Sequence, residues 1–221
     1  RRLFPALFVT LLVCTIVAIL LLSPLHLEKV GGSVIHALAS FSNIYFWVEA
    51  GYFDSASDVK PFLHTWSLSV EEQFYLLWPL LFVFILKTKS RIMMILTLGG
   101  MTVISIILNY LFQDGQVNTV SKISSYAGKL ISDGRSTIFY LLPFRLYEFA
   151  LGGVLVYASV FPIKNKMANE FILLLGMILV AYSFFMFSEE TLFPSYNALI
   201  PCVGAVLIIY SGNPSKFIGR L

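Results

Sequence analysis

Residues 61–79, PFLHTWSLSVEEQFYLLWP, carry the side chains best suited to chemistry. His64 and the adjacent carboxylates Glu71 and Glu72 could exchange protons as general acid and base. Only 12% of the 221 residues are charged, and ionisable groups are costly in so apolar a chain, so this concentration needs a reason. The stretch is therefore the strongest indication of a site in the sequence.

A purely structural interpretation of the same stretch is open as well. Ser69 and Glu72 fit a capping box, in which Ser69 is the N-cap of a helix and Glu72 its third residue. On that helix Glu71 and Tyr75 share a face, and the two glutamates point about 100° apart, so at least one is expected to face the interior. The capping box explains neither Glu71 nor the preceding His64.

Three further groups could bind a substrate. Arg2 precedes an apolar run, where it either anchors the chain on the cytoplasmic side or binds phosphate. Arg145 and Glu148 are three apart in an apolar segment, where they either pair on one helix face or line a cavity. Asn43 lies in the aromatic segment 42–47, which either marks a membrane interface or faces a glycan.

The composition predicts an all-α fold, a polytopic bundle of transmembrane helices. Hydrophobic residues make up 58% of the chain and the mean hydropathy is +0.84. Several uniformly apolar runs reach the roughly 20 residues that a helix needs to cross a bilayer. Six predicted spans cover about 3–22, 67–86, 91–112, 138–160, 170–187 and 195–211, and a short interfacial helix covers 33–48.

Basic residues predict the orientation of these spans. If the spans alternate, four basic groups fall on one side, at positions 1–2, 87–91, 164–166 and 216–220. The positive-inside rule makes that side cytoplasmic. Residues 23–66, including His64, would then lie outside the cytoplasm.

We expect one domain, residues 1–221, that is part of a longer protein. The chain begins at Arg1 without a methionine and ends just after an apolar run. It has no Walker loop, dinucleotide-binding fingerprint, zinc-ligand spacing or nucleophile elbow, and no nucleic-acid signature.

Together these segments resemble the membrane acyltransferase 3 family. The resemblance lies in SNIYFW at 42–47, GYFD at 51–54, KPFLHTWSLSVEEQFYLLWPLL at 60–81, FYLLPFRLYEFALG at 139–152 and PCVGAVLII at 201–209. It implies transfer of an acyl group, often acetyl, from cytoplasmic acyl-CoA to a sugar of a surface polysaccharide, lipopolysaccharide or peptidoglycan. It also implies a multi-pass protein of the bacterial inner membrane, with an SGNH-type domain in some parent chains and no metal.

The resemblance also implies roles for single residues. Glu72 and Glu71 would orient or deprotonate a catalytic group, while His64 and Ser67 would line the acceptor side or polarise the acyl carbonyl. The substrates would contact Arg2, Trp66, Ser69, Tyr75, Asn43, Arg145 and Glu148, with acyl-CoA near Arg2. The family's first helices, with its catalytic histidine and the first arginine of its Arg-x-x-Arg motif, would precede Arg1, and its last helices would also be absent. Residues 1–221 would then be a partial domain, and this fragment alone is expected to be inactive.

Two other functions fit the residues. A transporter or flippase for a glycan or lipid-linked sugar could use His64, Glu71 and Glu72 as a proton relay, although the chain shows no internal repeat of the kind common in transporters. A membrane scaffold would tolerate substitution of both glutamates beyond effects on folding.

Overall fold

The computed structural model describes residues 3–50, 60–87, 91–112, 133–161, 163–188, 191 and 194–212. Throughout these ranges the chain forms helices and turns and no β-strand, so the all-α class is confirmed. The helices are α1 (Leu3–Leu21), α2 (Pro24–Leu38), α3 (Ser42–Ala50), α4 (Thr65–Lys87), α5 (Arg91–Phe112), α6 (Gly134–Tyr140), α7 (Leu146–Ala158), α8 (Lys166–Met186) and α9 (Leu199–Gly212). Short 3₁₀ turns cover Leu142–Phe144 and Tyr196–Ala198.

Among the described residues, three helices are long and apolar enough to cross a membrane. They are Leu3–Leu21, Ile92–Phe112 and Lys166–Met186. These match three of the six predicted spans. Helix α4 has 23 residues, enough to cross a bilayer by length, but its first half carries Glu71 and Glu72.

The span predicted at 138–160 is wrong as a single helix. Helix α6 ends at Tyr140, the 3₁₀ turn contains Pro143, and α7 begins at Leu146. Proline lacks a backbone donor and clashes with the preceding turn, so it favours this break. The 13 residues of α7 rise only about 20 Å, less than a bilayer core of about 30 Å.

The last predicted span, 195–211, is also shorter than expected. It consists of a 3₁₀ turn and then α9, which has 14 residues. Pro201 lies in the first turn of α9, where proline costs no hydrogen bond. By contrast, Pro79 lies inside α4, which continues past it to Lys87.

The interfacial helix predicted at 33–48 is two helices. Helix α2 ends at Leu38 and α3 begins at Ser42. Ser40 between them has a φ of 61°, in the left-handed region. Its N–H donates to Ala37 O at 3.2 Å and the N–H of Phe41 donates to His36 O at 2.8 Å, which is the Schellman pattern of a helix end.

The capping box predicted at Ser69 is wrong too. Helix α4 begins at Thr65, one turn earlier, after a turn at residues 61–64. Thr65 Oγ1 donates to Phe62 O at 2.7 Å within this turn. Ser69 and Glu72 are therefore interior helix residues whose side chains are available for tertiary contacts.

The described helices cluster into two compact units. Arg1–Phe84 with Asn118–Leu142 forms the first, and Ile85–Val117 with Pro143–Leu221 forms the second. The apolar core of the first unit comprises Leu7, Leu11, Ala18, Val30, Ala37, Phe46 and Phe62.

The second unit contains a close helix pair, α8 and α9. A Cβ at Gly176 would lie 2.8 Å from Gly204 O, and a Cβ at Gly204 would lie 2.9 Å from Gly176 O. Only glycine permits this separation, which is the small-residue packing typical of helices in membranes.

Candidate functional site

The polar face of α4 contacts the turn between α2 and α3. Ser69, Glu72 and Gln73 share this face because residues three and four apart are neighbours on a helix. They bond to Ser40 in that turn and to Ser42 and Asn43 at the start of α3. We call these six residues the polar cluster.

Ser69 fixes the start of α3. Its hydroxyl accepts the backbone N–H of Ser42 at 3.2 Å and lies 2.7 Å from the Ser42 hydroxyl. Ser42 is fully buried and Ser69 is only 2% exposed. Because both groups bond to each other away from solvent, Ser69 holds two helices together.

Asn43 and Gln73 pair through their side-chain amides. Gln73 Nε2 donates to Asn43 Oδ1 at 2.8 Å and to Ser40 O at 2.9 Å. Asn43 Nδ2 donates to Tyr140 O at 3.1 Å, and it lies 3.4 Å from Gln73 Oε1. Asn43 is 1% exposed, so in this arrangement its amide positions α3, α4 and the end of α6 rather than facing solvent.

Glu72 is the acidic member of the cluster. One of its carboxylate oxygens accepts the hydroxyl of Ser40, and the side chain is half-buried. The position of Ser40 normally favours glycine, because an L-residue there costs about 1–2 kcal/mol. A serine at this backbone position supplies a donor that a glycine would lack.

The other predicted residues on α4 or just before it are half-buried or exposed. Glu71 is half-buried, whereas His64, Ser67 and Tyr75 are exposed. Ser67 Oγ donates to the backbone oxygen of His64 at 3.1 Å, so this contact leaves the imidazole unused. His64 and Ser67 therefore present polar groups at the N-terminal end of α4, one to two turns before Glu72.

Aromatic side chains border the polar cluster. The ring of Trp66 lies 4.4 Å from that of Phe139 and 5.7 Å from that of Tyr140, measured between centroids. Trp47 Nε1 donates to Thr137 Oγ1 at 3.0 Å. These contacts pack α6 against α3 and α4, and Thr137 satisfies the indole N–H of Trp47.

A second polar group lies between α2 and α3. Glu49 on α3 is 3.5 Å from Lys29 Nζ and 3.7 Å from Lys60 Nζ. Tyr45 donates its hydroxyl to Lys29 O at 3.1 Å. Burial, and then the nearby Glu49 and Glu28, raise the pKa of Tyr45, so its hydroxyl stays protonated as a donor.

Arg145 and Glu148 form an ion pair in the second unit. Their charged atoms are 3.5 Å apart, and the side chains are 14% and 25% exposed. This is the i,i+3 pair that the spacing allowed. Next to it, the fully buried Tyr147 donates its hydroxyl to Ser195 O at 3.0 Å.

Two residues of α5 donate hydrogen bonds to backbone carbonyl oxygens in the broken segment before α7. Ser105 Oγ donates to Pro143 O at 2.8 Å, and Asn109 Nδ2 donates to Phe144 O at 2.7 Å. An unpaired buried carbonyl is costly, so these side chains make the break tolerable. Sequence reasoning missed both, although polar residues in an apolar span are a usable signal.

Arg2 and the GYFD segment at 51–54 lie outside the described residues. Sequence reasoning also missed Ser40, Ser42 and Gln73. The stripe of polar residues at 69, 72 and 73 on one face of an otherwise apolar helix could have indicated Gln73.

Known proteins resemble this chain along its whole length. Residues 2–220 match the protein family described as Acyltransferase domain. The chain belongs to this acyltransferase family. The expectation of an acyltransferase, drawn from the motifs, is therefore confirmed.

Individual relatives agree with the family. "Putative peptidoglycan O-acetyltransferase YrhL" of Bacillus subtilis is 27% identical over all of this chain, which spans 34% of that protein. "Peptidoglycan O-acetyltransferase OatA" of Listeria monocytogenes is 35% identical over 48% of this chain and 17% of its own length. An uncharacterized protein of Haemophilus influenzae is 25% identical over 98% of this chain and 85% of its own length. No solved structure matches the chain.

Proposed function

We propose that the chain is part of the membrane domain of an O-acyltransferase that moves an acyl group, acetyl in our proposal, from cytoplasmic acyl-CoA to a sugar hydroxyl outside the cytoplasm. The family membership and the relatives named as O-acetyltransferases support this proposal. The observation that carries it is the position of Glu72, which the polar cluster holds at a fixed place while leaving its side chain half-buried.

The reaction needs a base and a path for the acyl group. The thioester C–S bond of acyl-CoA breaks and an ester C–O bond forms, while the proton of the sugar hydroxyl passes through a base to the CoA thiolate. Glu72 and Glu71 orient or deprotonate the group that carries this proton. The resemblance to the family implies that this group is a histidine.

The remaining residues serve the two substrates. Arg2 binds the phosphates of acyl-CoA, since guanidinium groups bind phosphate bidentately. His64 and Ser67 meet the acceptor or polarise the acyl carbonyl, and their exposure on α4 suits this role. The other substrate-side residues are Trp66 and Tyr75 beside them, Ser69 and Asn43 in the polar cluster, and Arg145 and Glu148, whose ion pair shapes the cavity.

The proposed location is the bacterial cytoplasmic membrane, with several spans. By the positive-inside rule, the basic residues at 1–2 and 87–91 lie on the cytoplasmic side of the membrane. The segment 23–66 then lies on the opposite side. This places the acyl-CoA site and the acceptor site on opposite faces. We also propose an SGNH-type domain in the parent protein, as the resemblance of residues 42–47 and 51–54 implies.

The test uses the intact protein in native membrane vesicles with labelled acetyl-CoA and the native surface glycan. We expect wild type to incorporate label as a base-labile ester, and Glu72→Gln to reduce incorporation at least a hundredfold at matched protein levels. Glu28→Gln, an exposed glutamate on α2, is the matched control and should transfer normally. Normal transfer by Glu72→Gln would remove Glu72 from the chemistry.

A second outcome concerns the whole proposal. If wild type forms no ester under conditions in which the glycan still crosses the membrane, the proposed O-acyltransferase activity is wrong. Transport would then replace it, because a transporter needs no acyl donor and leaves no covalent product.

A further inference from the structure

A narrow cleft opens between α2, α3 and the turn before α4, apart from the polar cluster. Its polar lining comprises His26, Lys29, Ser33, Glu49 and Lys60. The empty volume is about 280 Å³ including the open mouth, and the enclosed part holds about one water-sized group. The cleft is therefore too small for a whole ligand and suits a single polar group.

Glu49 is the unusual member of this lining. Its side chain is only 10% exposed, and in the described part of the chain its Oε1 atom accepts no hydrogen bond. Both lysine nitrogens lie at 3.5 Å or more from its oxygens, which is beyond an ordinary charge-assisted hydrogen bond. A buried acceptor without a donor is costly, so this atom indicates a missing hydrogen-bond donor.

The chemistry of the lining selects the kind of group. An anion would place its charge against Glu49 Oε1, whereas a hydroxyl could donate to that oxygen and accept from a lysine ammonium. A hydroxyl also fits the small enclosed volume. One carboxylate beside two ammonium groups can accept from and donate to the same hydroxyl, which is the group that a sugar presents.

We propose that this cleft is a subsite that holds one hydroxyl of the acceptor sugar chain, with Glu49 as acceptor and Lys60 as donor. The inference rests on the proposed function, since that function supplies the sugar. It adds a binding site away from the polar cluster, on the segment that the charge pattern places outside the cytoplasm. Such a site would fix the register of the glycan rather than take part in acyl transfer.

The first test measures binding without transfer. The solubilised intact protein is reductively methylated with and without a neutral oligosaccharide released from the native glycan, and each lysine is quantified by mass spectrometry. We expect at least fivefold slower methylation of Lys60 with the oligosaccharide, and an unchanged rate at the exposed Lys166. Protection by inorganic phosphate instead of the oligosaccharide would show an anion site and overturn the proposal.

The second test separates binding from chemistry. In Glu49→Gln we expect the KM for the oligosaccharide acceptor to rise about tenfold, while kcat and the KM for acetyl-CoA stay within twofold of wild type. Glu28→Gln should leave all three constants unchanged. An unchanged acceptor KM together with unprotected Lys60, in a protein that transfers acetyl normally, would overturn the subsite and leave the proposed function standing.

If wild type transfers no acetyl group, the proposed function fails by itself. The methylation experiment then tests the cleft alone. Protection of Lys60 by the oligosaccharide would still support a sugar subsite, and lack of protection would refute it. Because this arm uses wild type, it is independent of any folding defect in Glu49→Gln.

Discussion

The two units of the molecule differ in the balance of polar and apolar contacts that hold their helices together. In the first, amide and hydroxyl groups of α4 bond to the turn between α2 and α3. In the second, α8 and α9 approach until the backbones meet at Gly176 and Gly204. The glycine contact itself needs no polar side chain, although Asn169 Nδ2 on α8 also donates to Ser211 O on α9 at 2.6 Å.

The difference indicates where function lies. A chain with 12% charged residues buries polar groups only at a cost, so a cluster that contains a half-buried glutamate is hard to explain by stability alone. The glycine contact needs no such explanation. We therefore regard α8 and α9 as scaffold and the polar cluster as the supported part of a site.

The largest effect is expected for Gln73→Leu. The change leaves Asn43 Oδ1 and the carbonyl oxygen of Ser40 without the donor that Gln73 supplies, and each buried acceptor without a donor costs about 1–3 kcal/mol. We expect the free energy of unfolding to fall by about 3 kcal/mol and acyl transfer to be lost, measured by denaturation in detergent and by label incorporation. Thr97→Val on α5 is the control, because Thr97 bonds only within its own helix. The same stability and the same transfer in both variants would show that the Asn43–Gln73 pair contributes to neither.

A smaller effect is expected for Gly176→Ala. The added Cβ would meet the backbone oxygen of Gly204 at 2.8 Å, so the helices must separate, at a cost of about 1–3 kcal/mol. The midpoint of thermal unfolding should fall while the acetyl transfer of the folded fraction remains. Gly99→Ala on α5 is the matched control, since nothing lies within 4 Å of its Cβ position. Loss of transfer without loss of stability would contradict the assignment of α8 and α9 as scaffold.

The Arg145–Glu148 pair should contribute less. Both side chains are partly exposed, so solvent screens their attraction. We expect Arg145→Met and Glu148→Gln each to reduce the free energy of unfolding by about 1 kcal/mol, and a double-mutant cycle to give a coupling of about 0.5–1 kcal/mol. Additive single effects would show that the observed geometry gives no net interaction.

The sequence predicted the helical class, three of the spans and the Arg145–Glu148 pair, because these depend on composition and local spacing. It failed at 138–160, where Pro143 was visible, but the side chains that bond to Pro143 O and Phe144 O come from another helix, at Ser105 and Asn109. The left-handed Ser40 was equally hidden, since serine does not favour that conformation.

The candidate site was only partly predictable for the same reason. Glu72 was identified from its motif. Its hydrogen bond with Ser40 joins residues 32 positions apart, so no local sequence pattern predicts it. The same applies to the cleft, since Lys29, Glu49 and Lys60 meet only in the folded chain.

The most direct test substitutes Ser40. Its backbone conformation favours glycine, whereas its hydrogen bond to Glu72 requires a side chain that can donate. Ser40→Gly relieves the left-handed strain but removes the donor to Glu72, and these opposing terms should leave the free energy of unfolding within about 1 kcal/mol of wild type. Ser40→Asn is the matched variant, since asparagine tolerates this conformation and can donate.

Acetyl transfer to the glycan is measured for both variants at matched levels in native membrane vesicles. We predict that Ser40→Gly loses at least tenfold in acetyl transfer while it keeps its stability. Ser40→Asn should recover most of that transfer. Full transfer by Ser40→Gly would contradict this prediction, because the cluster would then be structural and Glu72 would not depend on the turn that holds it.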